Sequence, residues 1–324
     1  MSSVTLVSSV WSLRAKLCTV RANFRSTGGC PRAKERDTAN QSKGQSALSR
    51  AVKILEAFSY EAPTLRLSAL AARSGVPLSS TQRIVQELVA HEMLERMPDR
   101  SYRVGTRIWE IGTRTPGALG LRGIALPYLN VVQSRVRQHV QLVVRADLDA
   151  LVIERLSARD AVVNASIVGG RMPLQHVSSG LVLLAACDEK VLDRVIQRGL
   201  EQLTPHSLRN ESELRAAVEI ARREGYAVSE GRIFEGSRGI AVPVQGPQGE
   251  CVAAISIVEP NDGSSAMNHV NLLRQAAAGI ADALLRSHLP AGHPDAPPGG
   301  PYRALVNSSE QSMEFFEHHF PRHS

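Results

Sequence analysis

The sequence predicts an α+β protein with two ordered domains, a small helical domain followed by a larger one in which helices accompany a largely antiparallel sheet. A length of 324 residues suits about two domains plus tails. Residues 46–112 have the pattern of short helices joined by tight turns, whereas residues 122–288 alternate β-branched runs with helical stretches. The hydrophobic content of 43% is ordinary for a globular protein and argues against wholesale disorder.

The formal net charge of +7 lies almost entirely in the N-terminal segment. Residues 1–44 contain eight Lys and Arg residues against Glu35 and Asp37, a net charge of +6, so the overall charge is weak evidence for a nucleic-acid partner. This Ser- and Arg-rich segment has no sustained period and is predicted to be a disordered basic tail, with a transit-like targeting sequence as the alternative. A second disordered tail is predicted at residues 289–324, which begin in a Pro/Gly-rich stretch.

Two protein classes are excluded by simple counts. The longest apolar run, Leu181–Cys187, is far shorter than the about 18–20 residues of a membrane-spanning helix, so we predict no membrane partner. The four cysteines are scattered without a CxxC pair, which disfavours a zinc ribbon and a disulfide scaffold and favours a reducing, cytoplasmic location.

A helix-turn-helix is predicted in the small domain. Ser46 can cap a first helix, because its hydroxyl can accept a hydrogen bond from an unpaired N–H in the first turn. Gly75 stands where a left-handed residue would end a second helix. Ser79 and Gln82 form a capping-box pair, which places the start of a third helix at Ser79. Helix, glycine turn and helix at this spacing are typical of helix-turn-helix geometry.

The third helix is predicted to read DNA. Its apolar residues form one face, which leaves the hydroxyl, amide and guanidinium groups of its first turns facing outward. Free N–H groups at a helix N-terminus suit phosphate, and Gln and Arg side chains can reach base edges in the major groove. A hairpin with the turn signal Pro98-Asp99 follows, and its arginines are placed to contact phosphates. The predicted DNA-contacting residues are Ser79, Ser80, Thr81, Gln82, Arg83, Arg96, Arg100 and Arg103.

In the larger domain, strand and helix patterns alternate. Two β-branched runs flank the turn-prone Asp147-Leu148-Asp149, which predicts a hairpin. Glu211–Glu224 is a predicted helix closed by Gly225. Because several strands are joined by hairpins, the sheet should be largely antiparallel. The remaining predicted elements are helices at Leu121–His139, Ser178–Ala186, Glu189–Arg198 and Met267–Ser287, and strands at Ala161–Val168, Tyr226–Ser229, Gly239–Val244 and Cys251–Val258.

Five stretches resemble the IclR family of bacterial transcription regulators. SALSRAVKILEAF, LRLSALAARSGVPLSSTQRIVQEL and YRVGTRIWEIG are similar to its winged helix-turn-helix, and GGRMPLQHVSSGLVLLA and GYAVSEGRIFEGSRGIAVPV to its effector-binding domain, whose fold is GAF- or profilin-like. The resemblance implies a winged helix-turn-helix domain at 45–107, a linker helix at 108–121 and an effector-binding domain at 122–288. Thr115-Pro116-Gly117 predicts a kink or break in the linker helix, because Pro and Gly disfavour a helix interior.

The resemblance also implies a function. It is that of a transcription regulator that binds a double-stranded DNA operator as a homodimer or tetramer and responds to a small organic effector. The helix N-terminus at Ser178 offers N–H groups to an anion, which favours a carboxylate effector. The chain has Leu78 where family members usually have Lys, which predicts one phosphate contact fewer and a different operator preference. It has Leu181 where they usually have Lys and Gly239 where they usually have Cys, which predicts a larger pocket and a different ligand. Arg238 is expected to be a surface charge. The implied effector-binding residues are Gly170, Met172, Ser178, Ser179, Gly180, Gly239 and Ser256.

An enzyme, or a small-molecule sensor without DNA readout, is the alternative. Cys251 lies in an apolar strand pattern, where cysteine usually serves as a small hydrophobic residue. His176 has no paired carboxylate at a meaningful spacing, and Gly117, Gly120 and Gly123 match neither a dinucleotide-binding fingerprint nor a phosphate-binding loop. We therefore predict a protein that is not an enzyme and has no catalytic residues, no metal and no cofactor.

Overall fold

Two compact units make up the computed structural model, which describes residues 46–112 and 116–287. Each unit has its own sheet and its own apolar core. No helix in these two units is long and apolar enough to cross a membrane. The predicted tails at 1–44 and 289–324 lie outside the described residues, and the predicted domain boundaries stay predictions.

The first unit is a winged helix-turn-helix. Its helices pack around a core that includes Ile54, Leu70, Val85 and Leu94. Three short antiparallel strands lie in the order β1–β3–β2, and the β2–β3 hairpin is the predicted wing. The elements are α1 (Ala47–Leu55), β1 (Thr64–Leu65), α2 (Leu67–Ser74), α3 (Leu78–Ala90), β2 (Leu94–Arg96), β3 (Tyr102–Val104) and α4 (Thr106–Gly112).

Two of the three predicted helix-end signals are confirmed. Ser46 Oγ accepts a hydrogen bond from the Ser49 N–H at 3.1 Å, and Gly75 ends α2 in the left-handed region with φ of 66°. The capping role predicted for Ser79 is wrong. Helix α3 begins at Leu78, and its N-cap is Pro77, which makes no side-chain hydrogen bond. Pro77 has the non-helical backbone that an N-cap needs, so the N-cap lies two residues before the one that the capping-box pattern indicates.

Two helices lie among the described residues in the region of the predicted linker helix, for which a kink or break at Thr115-Pro116-Gly117 was expected. Helix α4 ends at Gly112, and α5 (Pro116–Val136) begins at Pro116, where a proline is well tolerated because its missing N–H would have no partner in the first turn. Residues 113–115 lie outside the described residues. Because α5 continues unbroken past residue 121, it also includes most of the helix predicted at Leu121–His139.

The second unit is built on a six-stranded sheet in the order β6–β5–β4–β9–β8–β7. All its strand pairs are antiparallel, which confirms the predicted largely antiparallel sheet. A single 3₁₀ turn, Leu174–His176, leads from β6 into α6. The elements that follow α5 are β4 (His139–Ala146), β5 (Asp149–Leu156), β6 (Arg171–Pro173), α6 (Ser178–Ala185), α7 (Glu189–Arg198), α8 (Glu211–Glu224), β7 (Ala227–Glu230), β8 (Ser237–Gln245), β9 (Cys251–Pro260) and α9 (Met267–Ser287).

Helices cover both faces of this sheet, and the two faces differ in side-chain size. Large residues such as Ile240 and Ile257 point to the core shared with α5 and α9. The opposite face, which packs against α6, α7 and α8, carries small residues such as Ala241 and Ala254 at the alternate positions. On the same strands, the small residues Gly239 and Ser256 line the cavity described below.

Two expectations for this unit are wrong. Ala161–Val168 forms no strand; it belongs to a loop between β5 and β6 that side chains hold, since Gln138 Oε1 accepts from the Val162 N–H at 3.0 Å. Arg238 is not a surface charge but is only 3% exposed, and its Nη2 lies 2.6 Å from Glu259 Oε1.

Candidate DNA-contacting face and effector cavity

One face of α3 is exposed and polar. Ser79, Gln82 and Arg83 are exposed, and Ser80 is half-buried. Gln86, one turn after Gln82, is also exposed and extends the same face. The capping-box pattern indicates DNA-contacting residues in the first turn only. The spacing of the buried residues, however, also places residue 86 on the exposed face. The structure therefore brings four of the five predicted recognition-helix residues to the surface, together with Gln86.

Thr81 is the exception among the predicted DNA-contacting residues on α3. It is 0% exposed, and its Oγ1 donates to the carbonyl oxygens of Val76 and Pro77, both at 3.1 Å. Position 81 lies on the buried face because it precedes Ile84 by three residues and Val85 by four. The outward placement predicted for Thr81 is wrong: its hydroxyl joins the turn to the helix and is not available to DNA.

The wing presents its arginines at an ordered turn. Asp99 Oδ1 accepts hydrogen bonds from the Ser101 N–H at 3.0 Å and the Ser101 hydroxyl at 2.6 Å, and these bonds lower the pKa of the Asp99 carboxyl. Arg96, Arg100 and Arg103 are exposed, as predicted for phosphate contacts. They differ in their neighbours.

Arg103 already has an acidic partner across the hairpin, whereas no ion pair involves Arg96 or Arg100 among the described residues. The Arg103 Nε lies 2.7 Å from Glu95 Oε2, directly opposite on β2. A phosphate would have to compete with this carboxylate for the guanidinium. The wing therefore offers two uncommitted cations, Arg96 and Arg100.

Between the sheet and α6 lies a small, partly open cavity. Five of the seven predicted effector-binding residues line it, namely Met172, Ser178, Ser179, Gly239 and Ser256. The sheet contributes Gln141 and Ser256, which are paired neighbours on β4 and β9.

The other two predicted residues, Gly170 and Gly180, do not line the cavity. A Cβ on Gly180 would collide with the carbonyl oxygen of Leu174, and one on Gly170 would lie 2.7 Å from Ile167 Cγ1. These glycines permit close packing of the chain around the cavity. Their predicted role as effector contacts is corrected to a packing role.

Several lining residues were not predicted. His176 is the most unusual of them, because it is only 2% exposed and neither ring nitrogen has a hydrogen-bond partner. Its backbone is fixed from β7, where Ser229 Oγ donates to the His176 carbonyl oxygen at 2.9 Å. Burial, with a contribution from the nearby positive charge of Arg232, lowers the pKa of His176 to about 4. The imidazole is therefore neutral near pH 7.

Arg232 brings a positive charge to the same part of the cavity. Its guanidinium is half-buried, and burial lowers the pKa of the group. Its one hydrogen bond among the described residues runs from Nη1 to the Gln175 carbonyl oxygen at 3.5 Å, the outer limit for such a bond. The sequence already places this charged residue between Gly231 and the apolar pair Ile233-Phe234, and that pattern could have identified it as a site residue.

The loop between β5 and β6 closes one wall. Val163, Asn164, Ala165 and Ser166 line the cavity. Gln141 Nε2 donates to Ser166 Oγ at 2.5 Å, and Asn164 Oδ1 accepts from the Ser166 N–H at 3.0 Å. The loop is thus held to the sheet by side-chain hydrogen bonds rather than by strand pairing.

The two described cysteines do not have the environment of nucleophiles. Cys187 and Cys251 are both half-buried, and burial raises the pKa of each thiol, in Cys251 to about 11. Both are therefore protonated near pH 7. Within residues 46–112 and 116–287, no cluster of three His, Cys, Asp or Glu side chains could hold a metal ion.

Family comparisons agree with this division into two parts. Residues 47–98 match the IclR helix-turn-helix domain, and residues 115–282 match the bacterial transcriptional regulator IclR C-terminal domain. The chain is 26% identical over 244 residues to the HTH-type transcriptional regulator XynR of Escherichia coli K12, a match that covers 74% of this chain and 96% of XynR. It is 27% identical over 252 residues to the HTH-type transcriptional repressor AllR of the same strain, covering 76% and 93%.

Solved structures show the same relationship. An IclR homologue from Microbacterium hydrocarbonoxydans, crystallised as a complex with 4-hydroxybenzoate, is 38% identical with a TM-score of 0.71, and the match covers 74% of this chain and 99% of that one. The chain therefore belongs to the IclR family: it is a transcriptional regulator with a helix-turn-helix DNA-binding domain, not an enzyme.

Proposed function

We propose that this regulator binds a specific operator in double-stranded DNA and that a small organic acid in the cavity changes its affinity for that operator. The proposal for the effector rests chiefly on one observation. The lining residues include one guanidinium, that of Arg232, and no Asp or Glu. Such a cavity favours an anion over a neutral or cationic ligand.

The DNA part of the proposal assigns base reading to α3. Gln82, Arg83 and Gln86 are long exposed side chains on one face of this helix, and such side chains form bidentate contacts with adenine and guanine edges. Ser79 and Ser80, at the N-terminus of α3, and Arg96, Arg100 and Arg103 on the wing would contact phosphates. Arg103 would first have to leave Glu95.

The effector part adds a helix terminus to the guanidinium. Ser178 and Ser179 open α6 and line the cavity, so the positive end of the helix dipole favours an anion there. The apolar remainder of the lining, which includes Met172, Ile233 and Phe234, suits an aromatic or branched body. The relative bound to 4-hydroxybenzoate makes this compound the first candidate to test.

The proposed DNA-binding species is a homodimer, with two copies of α3 in major grooves about 34 Å apart or a multiple of that distance. Exposed apolar residues in the first unit support a second copy of this chain as partner. Leu48 and Val52 are 74% and 45% exposed one turn apart on α1, and Trp109 on α4 is 72% exposed. Burying such residues against a second copy would remove apolar surface from water.

One experiment tests the proposal. Selection from a random duplex library would recover the operator, and fluorescence anisotropy would measure its affinity with and without a panel of carboxylic acids that includes 4-hydroxybenzoate. We expect enrichment of a twofold-symmetric sequence and a saturable change in operator affinity with at least one acid. The operator proposal would be overturned if no sequence were enriched at any salt concentration. The effector proposal would be overturned if every acid left the affinity unchanged.

A further inference from the structure

Two polar side chains inside the effector cavity lack adequate partners and lie close together. Arg232 extends toward the 3₁₀ turn, where its Nη1 approaches the Gln175 carbonyl oxygen, and His176 is the next residue on that turn. Both side chains line the cavity. We infer that Arg232 and His176 together form the subsite that binds the carboxylate group of the effector, an inference that rests on the proposed effector function.

The first argument is the contrast between the half-buried Arg232, in the loop between β7 and β8, and the buried Arg238 on β8. Arg238 is satisfied within the protein: it pairs with Glu259, and its Nη2 donates to Ser264 Oγ at 2.8 Å. The guanidinium of Arg232 has five N–H donors as well, but among the described residues it makes a single long hydrogen bond and no ion pair. Glu230 and Glu213 attract this guanidinium without pairing with it, while burial disfavours its charge. A carboxylate supplied by the ligand would provide two parallel acceptors for this guanidinium.

His176 supplies the second argument. A buried imidazole with two unpartnered nitrogens is unusual, because buried polar groups are generally hydrogen-bonded. The neutral ring has one N–H donor and one acceptor nitrogen. Next to a cation, the donor can hydrogen-bond to the same carboxylate that pairs with Arg232. Ser229 holds the backbone of this turn through the His176 carbonyl oxygen.

The remaining walls define the class of ligand. Val163, Ala165, Met172, Ile233 and Phe234 are apolar, and no lining residue is acidic. The subsite therefore selects a small monocarboxylate with an apolar body, and discriminates against the corresponding neutral amide.

The test compares benzoate with benzamide, two probes of nearly equal shape that differ in charge. Isothermal titration calorimetry on the full chain would measure both, and the side-chain Nε–H signal of Arg232, assigned from its loss in Arg232→Gln, would be followed by NMR. We expect saturable benzoate binding with a shift of the Arg232 signal, and at least tenfold weaker binding of benzamide. Arg232→Gln should lose at least tenfold in benzoate affinity, whereas Arg232→Lys, which retains the charge, should lose less.

A matched control is Arg194→Gln. Arg194 is an exposed arginine of the same domain that pairs with Asp147 outside the cavity lining, so its replacement should leave benzoate binding unchanged. The subsite would be overturned if Arg232→Gln, shown to be folded by its circular dichroism, bound benzoate as tightly as wild type, or if no saturable shift of the Arg232 signal occurred. If an acid altered operator binding equally in wild type and Arg232→Gln, the subsite would fail while the proposed function stood. If no acid altered operator binding in wild type, the proposed function itself would fail.

Discussion

The backbone of Gly239 passes so close to Ser178 that a Cβ at position 239 would lie 2.8 Å from the Ser178 hydroxyl oxygen. Both residues line the effector cavity, one from β8 and the other from the start of α6. The glycine therefore leaves room for the hydroxyl where the family pattern usually has a cysteine. A larger side chain at position 239 would narrow the cavity from the side of the sheet.

We expect Gly239→Ala to weaken benzoate binding by roughly tenfold, or about 1.4 kcal/mol, because the Ser178 hydroxyl must rotate and the cavity shrinks. Thermal stability should change little, since the displaced atom is the end of a small side chain. Calorimetric titration measures the affinity. Ser178→Ala in the same background removes the clash and should restore part of the loss; unchanged benzoate affinity in Gly239→Ala would disprove this account.

Replacing Arg83 with Ala should cost about 1–3 kcal/mol of operator affinity if its guanidinium contacts a base, because a bidentate base contact contributes that much. Affinity for random duplex should fall much less. Anisotropy titrations of both duplexes over a salt series separate the two effects. An equal loss on operator and random DNA would show that Arg83 contacts only phosphate.

Thr81 and Ser79 should behave in opposite ways, since one is buried and the other exposed on α3. Thr81→Val removes the hydroxyl that donates to Val76 and Pro77, so the free energy of unfolding should fall by about 1 kcal/mol, with no change in the ratio of operator to random-duplex affinity. Ser79→Ala should leave stability within about 0.5 kcal/mol and weaken DNA binding. Urea denaturation and anisotropy measure the two quantities. A specific loss of operator affinity in Thr81→Val would contradict its burial.

Strongly periodic, well-capped elements could be predicted from the sequence. Helix α8 was predicted over Glu211–Glu224, where Asn210 accepts from the Glu213 N–H at 2.9 Å and Gly225 follows with φ of 69°. Helix α9 was predicted with equal success because its apolar stripe is long. In both elements, the signals that decide the structure lie within a few residues of one another.

The errors arise where distant residues decide the outcome. The β-branched run Ala161–Val168 is a loop whose backbone groups bond to distant side chains: Gln138 Oε1 accepts from the Val162 N–H, and Arg155 of β5 donates to the Ser166 carbonyl oxygen. Thr81 is a different case, because it precedes Ile84 and Val85 by three and four residues and the helical period already places it on the buried face. The capping-box pattern, which made it a first-turn residue, favoured the wrong placement. The proximity of Arg232 to His176 could not be predicted, since it depends on how β7 and its following loop lie against the 3₁₀ turn.

Acid should destabilise the protein through His176. The pKa of this histidine is about 4 in the folded protein and 6.5 as its ordinary value, so the unfolded chain binds more protons between these values. Stability is fully present above about pH 6.5 and falls as the pH drops toward 4, by up to about 3 kcal/mol from this group. His139, whose pKa burial also lowers, acts in the same direction.

His176→Asn keeps a neutral polar side chain and should flatten the loss of stability between pH 6.5 and 4, leaving the smaller part due to His139. Urea unfolding of the effector-binding domain, observed in the full chain at a series of pH values, measures how the free energy of unfolding of each protein depends on pH. Benzoate should protect the wild type more strongly at pH 5 than at pH 7, because a carboxylate beside the imidazole favours its protonated form and opposes the penalty of burying that charge. Equal pH slopes for wild type and His176→Asn would mean that His176 is hydrated or partnered in solution, and the carboxylate subsite would then lose one of its two supports.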